Sequence, residues 1–246
     1  MKPWHDDDRF WETMAGKMFT RERWEAAGVE VDSIITLLDM RPEAEILDLC
    51  CGPGRHSLEF ARRGYKVVGV DRTGRYLEEA KKRAKDQKLS IEFLKADMRE
   101  YREQERYDVV LNLFTSFGYF EDPEEDSKVL SNIHASLKEG GKAVIELFGK
   151  EILARVYRDR DWYEEDGVIY LEERRLDNDW GTIHNRWVMI VGKRRREFHF
   201  SHRMYSGREL MLQLEAAGFR EIKLFGSLQG IPYDNHAKRL VAVARR

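Results

Sequence analysis

The sequence predicts a doubly wound α/β domain: a mostly parallel sheet of seven strands, a helical cover before it and an antiparallel β insertion after the fifth strand. Three observations predict this. Short apolar runs alternate with helical segments between about residues 45 and 147, which is typical of a parallel sheet covered on both faces. The alternation then gives way to charged and aromatic segments joined by turn residues. The first 41 residues carry apolar side chains at helical spacing.

Length and composition are those of a globular protein with one core. The chain has 246 residues, of which 42% are hydrophobic and 11% aromatic, and this excludes disorder. Its 43 basic and 45 acidic side chains leave a formal net charge of -2. This balance argues against a nucleic-acid partner held by overall positive potential.

The sequence contains no membrane, targeting or metal signal. No apolar run approaches the roughly 20 residues that span a bilayer, and the start, MKPWHDDDRF, is too acidic for a signal peptide. We therefore expect a cytoplasmic protein without a membrane partner. The only two cysteines, Cys50 and Cys51, are adjacent, which is a poor geometry for a disulfide and too few ligands for zinc.

The predicted elements follow in a simple order. The helical cover spans residues 1–41 and ends at Arg41-Pro42. The five parallel strands are predicted at EILDLC, YKVVGVD, SIEFLKAD, YDVVLNLF and KAVIELF. We expect residues 1–149 and 206–246 to form one domain, with 150–205 as the insertion and as a cap over the substrate.

The sequence also predicts the secondary structure of the insertion and of the C-terminal part. Segments near 168–177, 181–191 and 194–204 predict an antiparallel meander. Ser206 and Glu209 fit a capping box that opens a helix, and two final strands are predicted near 219–226 and 239–245.

A glycine turn follows the first strand, where open α/β sheets bind ligands. Gly52 and Gly54 lie in the run from Asp48 to Gly54 and let the backbone approach a ligand closely. The helix after them offers free N–H groups to an anionic group. Asp71 ends the second strand, where a carboxylate can accept the hydroxyls of a ribose, and Asp97 ends the third. Together these residues predict an adenosine pocket.

The identity of the cofactor follows from what the pocket lacks. A nicotinamide enzyme would place a third glycine at the position of Ser57, and Asp71 would repel the 2'-phosphate of NADP. The sequence also lacks a P-loop signature, which disfavours a nucleoside triphosphate. S-adenosylmethionine, which has an adenosine but no phosphate, fits better.

From Glu45 to Leu147 the sequence resembles the class I S-adenosylmethionine-dependent methyltransferases. ILDLCCGPGRHS, VVGVD, LKADM and NLFTSFGYF are similar to the family's first four motifs and occur in the same order. The resemblance implies a Rossmann-like methyltransferase fold, and it implies cofactor contacts along these motifs. The expected cofactor-binding residues are Trp11, Asp48, Cys50, Cys51, Gly52, Gly54, His56, Asp71, Arg72, Asp97, Met98, Leu113 and Phe114.

Some of these residues have a simpler alternative role. Cys50 and Cys51 are also explained as small buried residues at a tight turn. His56 faces the methionine tail or is a helix-end histidine. Trp11, on a helical face with Phe10, belongs to the core or to a lid over the cofactor, since N-terminal helices close this site in related folds.

The class of acceptor is narrowed by motifs that are absent. Asn112 is followed by Leu-Phe-Thr, not by the Pro-Pro-aromatic run of many base methyltransferases, and the fifth strand lacks the Asp-Asn pair of magnesium-dependent O-methyltransferases. The insertion instead resembles small-molecule N-methyltransferases. We expect methyl transfer to a small molecule, most readily at nitrogen, with Tyr119 first, then His202 or His199, as candidates to take a proton.

Three alternatives remain open at this stage. The basic run Lys193–Arg196 is compatible with an RNA-associated methyltransferase, although strand alternation would divide its charges between two faces. A cofactor-binding protein without catalysis is a second alternative. The insertion is also compatible with a homodimer surface, through Trp162, Tyr163, Trp180 and Trp187.

Overall fold

The structure is a computed structural model that describes residues 2–246. Its central sheet has seven strands in the order β10-β11-β5-β4-β1-β2-β3, and only β11 is antiparallel to its neighbours. This confirms the doubly wound α/β fold. The strands are β1 (Glu45–Leu49), β2 (Lys66–Asp71), β3 (Glu92–Lys95), β4 (Tyr107–Asn112), β5 (Leu137–Leu147), β10 (Arg220–Phe225) and β11 (Leu240–Arg245).

Helices cover both faces of this sheet. The N-terminal cover, as predicted, consists of α1 (Asp8–Met18) and α2 (Arg21–Leu38), preceded by a 3-10 turn at Trp4–Asp6. The helices between strands are α3 (Arg55–Arg62), α4 (Gly74–Asp86) and α5 (Pro123–Ser136), and α7 (Gly207–Ala216) precedes the last two strands. At the start of α7 the predicted capping box is present: Ser206 and Glu209 satisfy each other's backbone N–H groups.

The insertion is larger than its apolar pattern predicts. A short helix, α6 (Lys150–Val156), leads into an antiparallel sheet of four strands in the order β6-β7-β8-β9. Its strands are β6 (Arg160–Glu165), β7 (Val168–Leu176), β8 (Thr182–Val191) and β9 (Arg194–Arg203). The sequence of β6, RDWYEE, has no apolar pattern that would predict a strand. Tyr163 is partly buried, and the other five residues of this strand are exposed.

Strand alternation gives this second sheet two different faces. Arg196 is on the face turned toward α1, where it donates to Thr13 Oγ1 over 3.0 Å. Arg195, Glu197 and His199 lie on the other face and pair with one another. The basic run is therefore divided in the way that its period of two predicts.

The hydrophobic core lies on the two faces of the central sheet. One cluster is built around Leu47, Val110 and Ile145 with the inner sides of α5 and α7, and a second packs α2 against the opposite face. Within residues 2–246, the structure contains no helix that is both long and apolar enough to cross a membrane.

Candidate active site between the sheet edge and the insertion

A cavity of about 380 Å³ opens at the carboxyl ends of β1, β2 and β4. This size lies within the range of roughly 300–1,000 Å³ that is usual for small-molecule sites. Its lining comes from the carboxyl edge of the central sheet, from α1 and from the inner face of the insertion. All expected cofactor residues except Gly54 line it: Trp11, Asp48, Cys50, Cys51, Gly52, His56, Asp71, Arg72, Asp97, Met98, Leu113 and Phe114. Tyr119 and His202 line it as well.

The two glycines of the turn differ in what constrains them. Both have a positive φ, of 56° at Gly52 and 82° at Gly54. A Cβ on Gly52 would come within 2.9 Å of the ring of Phe19, at the end of α1. A Cβ on Gly54 would instead meet Ala80 and Phe93 in the protein interior. The backbone angle and core packing therefore both require a glycine at position 54, and close approach of either glycine to a ligand stays a prediction.

Within the described residues, Asp71 is held by backbone donors and not by a cation. Its Oδ2 accepts the N–H of Gly52 over 2.9 Å, and its Oδ1 accepts the N–H of Thr73 over 2.7 Å. Burial raises the pKa of this carboxyl above its usual value. The carboxylate is thus fixed at the glycine turn with lone pairs free for further donors.

The other acid of the predicted adenosine pocket has a different environment. Asp97 is paired by Arg99, whose Nη2 lies 2.7 Å from Oδ2 and whose Nε and backbone N–H donate to Oδ1. Burial by itself would raise the pKa of Asp97, but the hydrogen bonds from Arg99 outweigh this effect and lower the pKa below its usual value. A ligand that contacts this carboxylate has to share it with Arg99.

The two cysteines and His56 have clear structural roles. Burial raises the pKa of both the Cys50 and the Cys51 thiol well above the usual value, so both stay protonated. Cys50 Sγ lies 3.5 Å from the sulfur of Met98. His56 Nε2 is 2.8 Å from Glu30 Oε2, a contact that ties α3 to α2 at the edge of the cavity.

A strained turn follows β4 beside the cavity. Phe114 and Thr115 both have positive φ angles, of 58° and 60°, which is costly for residues with a side chain. Glu146, near the end of β5, fixes this turn because its Oε2 accepts the Phe114 N–H over 3.0 Å and its backbone oxygen accepts the Thr115 N–H. Arg239 completes the arrangement by donating to Glu146 and to Thr115 Oγ1.

Four lysine and arginine residues at the cavity were not predicted from the sequence: Lys17, Arg23, Arg55 and Arg239. The guanidinium of Arg23 lies 4.5 Å from the ring centroid of Phe114 and donates to the carbonyls of Lys17 and Met18. In the described part of the chain no carboxylate lies within salt-bridge distance of it. Lys17 contacts Glu172 of β7 and lies over the rings of Tyr163, Tyr170 and Trp187.

The two candidate proton acceptors differ in protonation. Burial raises the pKa of Tyr119 far above neutrality, so its phenol keeps its proton. Burial also lowers the pKa of His202 to about 4, so its imidazole is neutral at pH 7. His202 stacks on Phe200, whereas His199 is largely exposed on the outer face of the insertion and does not line the cavity.

The structure also changes the interpretation of the insertion's aromatic residues. Tyr163 and Trp187 line the cavity and are partly buried. Only Trp162 and Trp180 of that group remain exposed. The proposed homodimer surface therefore loses two of its four aromatic side chains.

Comparison with known proteins agrees with this architecture. Residues 46–141 match a family model described as a methyltransferase domain. A dTDP-3-amino-3,4,6-trideoxy-alpha-D-glucopyranose N,N-dimethyltransferase from Streptomyces venezuelae is 30% identical over 131 residues, 52% of this chain and 54% of the relative. The alignments with the first curated relatives span about half the length of those proteins.

Solved structures resemble nearly the whole chain. An S-adenosylmethionine-dependent methyltransferase from Clostridium acetobutylicum has a TM-score of 0.79 at 16% identity, with 96% of each chain covered. A SAM-bound amino pentose methyltransferase from Micromonospora echinaspora has a TM-score of 0.68 at 24% identity, also with 96% of each chain covered. Residues 46–141 thus match a methyltransferase domain, and the chain as a whole has the fold of S-adenosylmethionine-dependent methyltransferases of known structure.

Proposed function

We propose that the protein transfers a methyl group from S-adenosylmethionine to a nitrogen atom of a small-molecule acceptor. One observation carries this proposal: the cavity that holds the predicted cofactor residues is also walled by α1 and the insertion. A second molecule bound there would meet the cofactor away from bulk water. Bound S-adenosylmethionine supplies an activated methyl group on a sulfonium, and the chain has to position the acceptor and exclude water.

The residues at the sheet edge fit the parts of this cofactor. Asp71 has free lone pairs for the ribose hydroxyls, and Met98 with Asp97 lies where the adenine is expected. Arg23 is a half-buried cation without a carboxylate partner among the described residues, and it suits the carboxylate of the methionine part. Arg55 is less suited to that carboxylate because Glu30 already neutralises it.

The protonation states favour nitrogen over oxygen as the acceptor atom. A hydroxyl is a poor nucleophile until a base removes its proton, and His202, with a pKa of about 4, is too weak a base for that task. Tyr119 is protonated, so it can donate or accept a hydrogen bond but does not act as a base. A neutral amine already has its lone pair, and the neutral His202 ring can accept an N–H and orient that lone pair.

The relatives support the same conclusion. The Streptomyces venezuelae relative is named as an N,N-dimethyltransferase of an amino sugar, and the Micromonospora protein is an amino pentose methyltransferase. We propose that residues 150–205 act here as the acceptor cap, since β6, β8 and β9 of this insertion supply Tyr163, Trp187 and His202 to the cavity.

A metabolite-library screen for S-adenosylhomocysteine production tests this function. We expect turnover with at least one small amine and none with the matching hydroxyl compound. Production of S-adenosylhomocysteine from hydroxyl compounds only would contradict the nitrogen assignment. Tight cofactor binding without turnover on any acceptor would favour the non-catalytic alternative.

The RNA-associated alternative has less support from the surface charges. Arg186 is paired with Glu173 and Glu197, and Arg195 also contacts Glu197. An RNA-binding surface would have to break these pairs. RNA binding that weakens steeply with added salt would nevertheless favour that alternative.

A further inference from the structure

The turn after β4 has a backbone conformation that its own residues do not favour. Phe114 and Thr115 both have φ angles in the left-handed region, and both line the cavity. This conformation is costly for a residue with a side chain, and two such residues in succession double the cost. The turn therefore keeps its shape because other parts of the chain hold it.

The residue that holds the turn is Glu146, near the end of β5. Its Oε2 accepts the Phe114 N–H over 3.0 Å, and its backbone oxygen accepts the Thr115 N–H over 2.9 Å. One residue thus pairs the N–H groups of both strained positions. Glu146 is 8% exposed and does not line the cavity. Any effect of Glu146 on a ligand in the cavity must therefore act through neighbouring residues.

Arg239, directly before β11, supports the same turn from a third segment of the chain. Its Nε donates to Glu146 Oε1 over 2.9 Å, and its Nη2 donates to Thr115 Oγ1 over 2.8 Å. Its own N–H donates to the carbonyl of Gly226, directly after β10. The carboxylate of Glu146 is thus fixed between a backbone N–H and a guanidinium, and both are strong donors to a charged acceptor.

The turn places the ring of Phe114 beside two guanidinium groups at the cavity. The guanidinium of Arg23 lies 4.5 Å from the ring centroid, and that of Arg55 lies 5.7 Å from it. Relaxation of the turn to negative φ would redirect the Cα–Cβ bond of Phe114 and take its ring away from both cations. The shape of the turn therefore determines the surroundings of Arg23.

We propose that Glu146 and Arg239 are positioning residues for S-adenosylmethionine. They hold the turn after β4 in its strained form, and they thereby keep Phe114 and Arg23 in place for the methionine part of the cofactor. This inference rests on the cofactor site described under the proposed function, but it does not depend on the acceptor. A purely structural role would affect stability alone, whereas a positioning role affects cofactor affinity in a protein that still folds.

Titration calorimetry of the Glu146→Gln variant with S-adenosylmethionine is the main test. Glutamine keeps the shape of the side chain but replaces one acceptor oxygen by an amide nitrogen, so it loses either the Phe114 N–H or Arg239 as a donor. We expect the dissociation constant to rise about tenfold, as for loss of a hydrogen bond to a charged group. Urea denaturation should remain cooperative.

Arg239→Lys separates positioning from direct attraction between Arg239 and the ligand. Lysine keeps the positive charge but lacks the planar fork that reaches Glu146 and Thr115 together. We expect a rise in the dissociation constant similar to that in Glu146→Gln. The double variant should lose no more than the weaker-binding single variant, because both changes release the same turn.

Asp108, at the opposite end of β4, offers a matched control. Its Oδ2 accepts the Glu45 N–H over 2.9 Å and lies 2.8 Å from Lys138 Nζ, so it too is a carboxylate between a backbone N–H and a cation. It does not line the cavity. Asp108→Asn should lower the midpoint of urea denaturation and leave the dissociation constant of S-adenosylmethionine unchanged.

Thr115→Asn tests whether the effect acts through the backbone. Asparagine adopts positive φ more readily than threonine does. Added to Glu146→Gln, it should therefore lower the dissociation constant again by about threefold, whereas in the parent protein, whose turn is already held, it should change little.

Unchanged affinity in Glu146→Gln, full affinity in Arg239→Lys, an equal loss in Asp108→Asn, or no recovery with Thr115→Asn would each overturn the positioning role. The proposed methyl transfer is tested separately, by formation of S-adenosylhomocysteine. A parent protein that binds S-adenosylmethionine but methylates no acceptor would contradict the proposed function, and the expected losses of affinity in the variants would still support the positioning role.

Discussion

Asp71 is the residue on which the cofactor assignment depends most directly. Among residues 2–246 its carboxylate has no cationic partner at hydrogen-bond distance, and the Gly52 and Thr73 N–H groups hold it in place. We expect Asp71→Ala to weaken S-adenosylmethionine binding about tenfold to a hundredfold, because hydrogen bonds to a charged group contribute roughly 1.5–3 kcal/mol. Titration calorimetry measures this. Asp86→Ala, at the exposed end of α4, is the control, and unchanged affinity in a folded Asp71 variant would rule out the ribose contact.

Substitutions of the two glycines of the turn should affect different properties, cofactor binding at Gly52 and folding stability at Gly54. Gly52→Ala would push against the ring of Phe19 at the end of α1, so we expect it to reduce the rise in melting temperature that the cofactor causes. Gly54→Ala would press on Ala80 and Phe93 at a positive φ, so we expect it to lower the free energy of unfolding by about 1–2 kcal/mol or more. Thermal melts with and without S-adenosylmethionine separate the two effects, and the reverse pattern would contradict this division.

At the scale of elements, Lys17 joins two parts of the chain that have no backbone connection nearby. It places the C-terminal turn of α1 against Glu172 and three aromatic rings of the insertion. We expect Lys17→Met to destabilise this contact by about 1–2 kcal/mol, so that amide hydrogen exchange in α1 becomes roughly 5–30 times faster. Lys81→Met, on the exposed side of α4, should leave α1 unchanged. Exchange in α1 that is equal in all three proteins would show that Lys17 does not hold the helix.

The sequence was sufficient to predict the elements that carry local signals. Strand and helix periods gave the order of the sheet's elements, and Asp71 and Gly52 stood out because each follows an apolar strand. Lys17, Glu146 and Arg239 carried no such signal, since their roles arise from packing between segments far apart in the chain. Lys17 and Glu172, for example, are 155 residues apart. β6 was missed because an edge strand with one inward aromatic residue lacks an apolar run.

For the whole molecule, Asp126 couples stability to pH. It is fully buried on α5, accepts the Tyr205 hydroxyl over 2.7 Å, and burial raises its pKa to about 6 despite the nearby Arg203. In the unfolded chain this carboxyl ionises near pH 4, so its contribution to the stability of the folded state falls between about pH 4 and pH 6 and is constant above.

Asp126→Asn removes this titration. The free energy of unfolding of the parent protein, relative to that of the variant, should therefore decrease by about 2–3 kcal/mol between pH 4 and pH 6. Urea denaturation of both proteins across this range provides the measurement. A difference that stays constant with pH would show that Asp126 is ionised throughout.

The position of the cavity between the sheet edge and the insertion also has a kinetic consequence. Most of the predicted cofactor residues come from the edge of the central sheet, whereas α1 and the inner face of the insertion supply the rest of its lining. A bound acceptor would therefore block the route by which S-adenosylmethionine enters the cavity and S-adenosylhomocysteine leaves it. Steady-state kinetics should then follow a compulsory order of addition, with S-adenosylmethionine first and S-adenosylhomocysteine released last. Product inhibition by S-adenosylhomocysteine should accordingly be competitive toward S-adenosylmethionine and noncompetitive toward the acceptor.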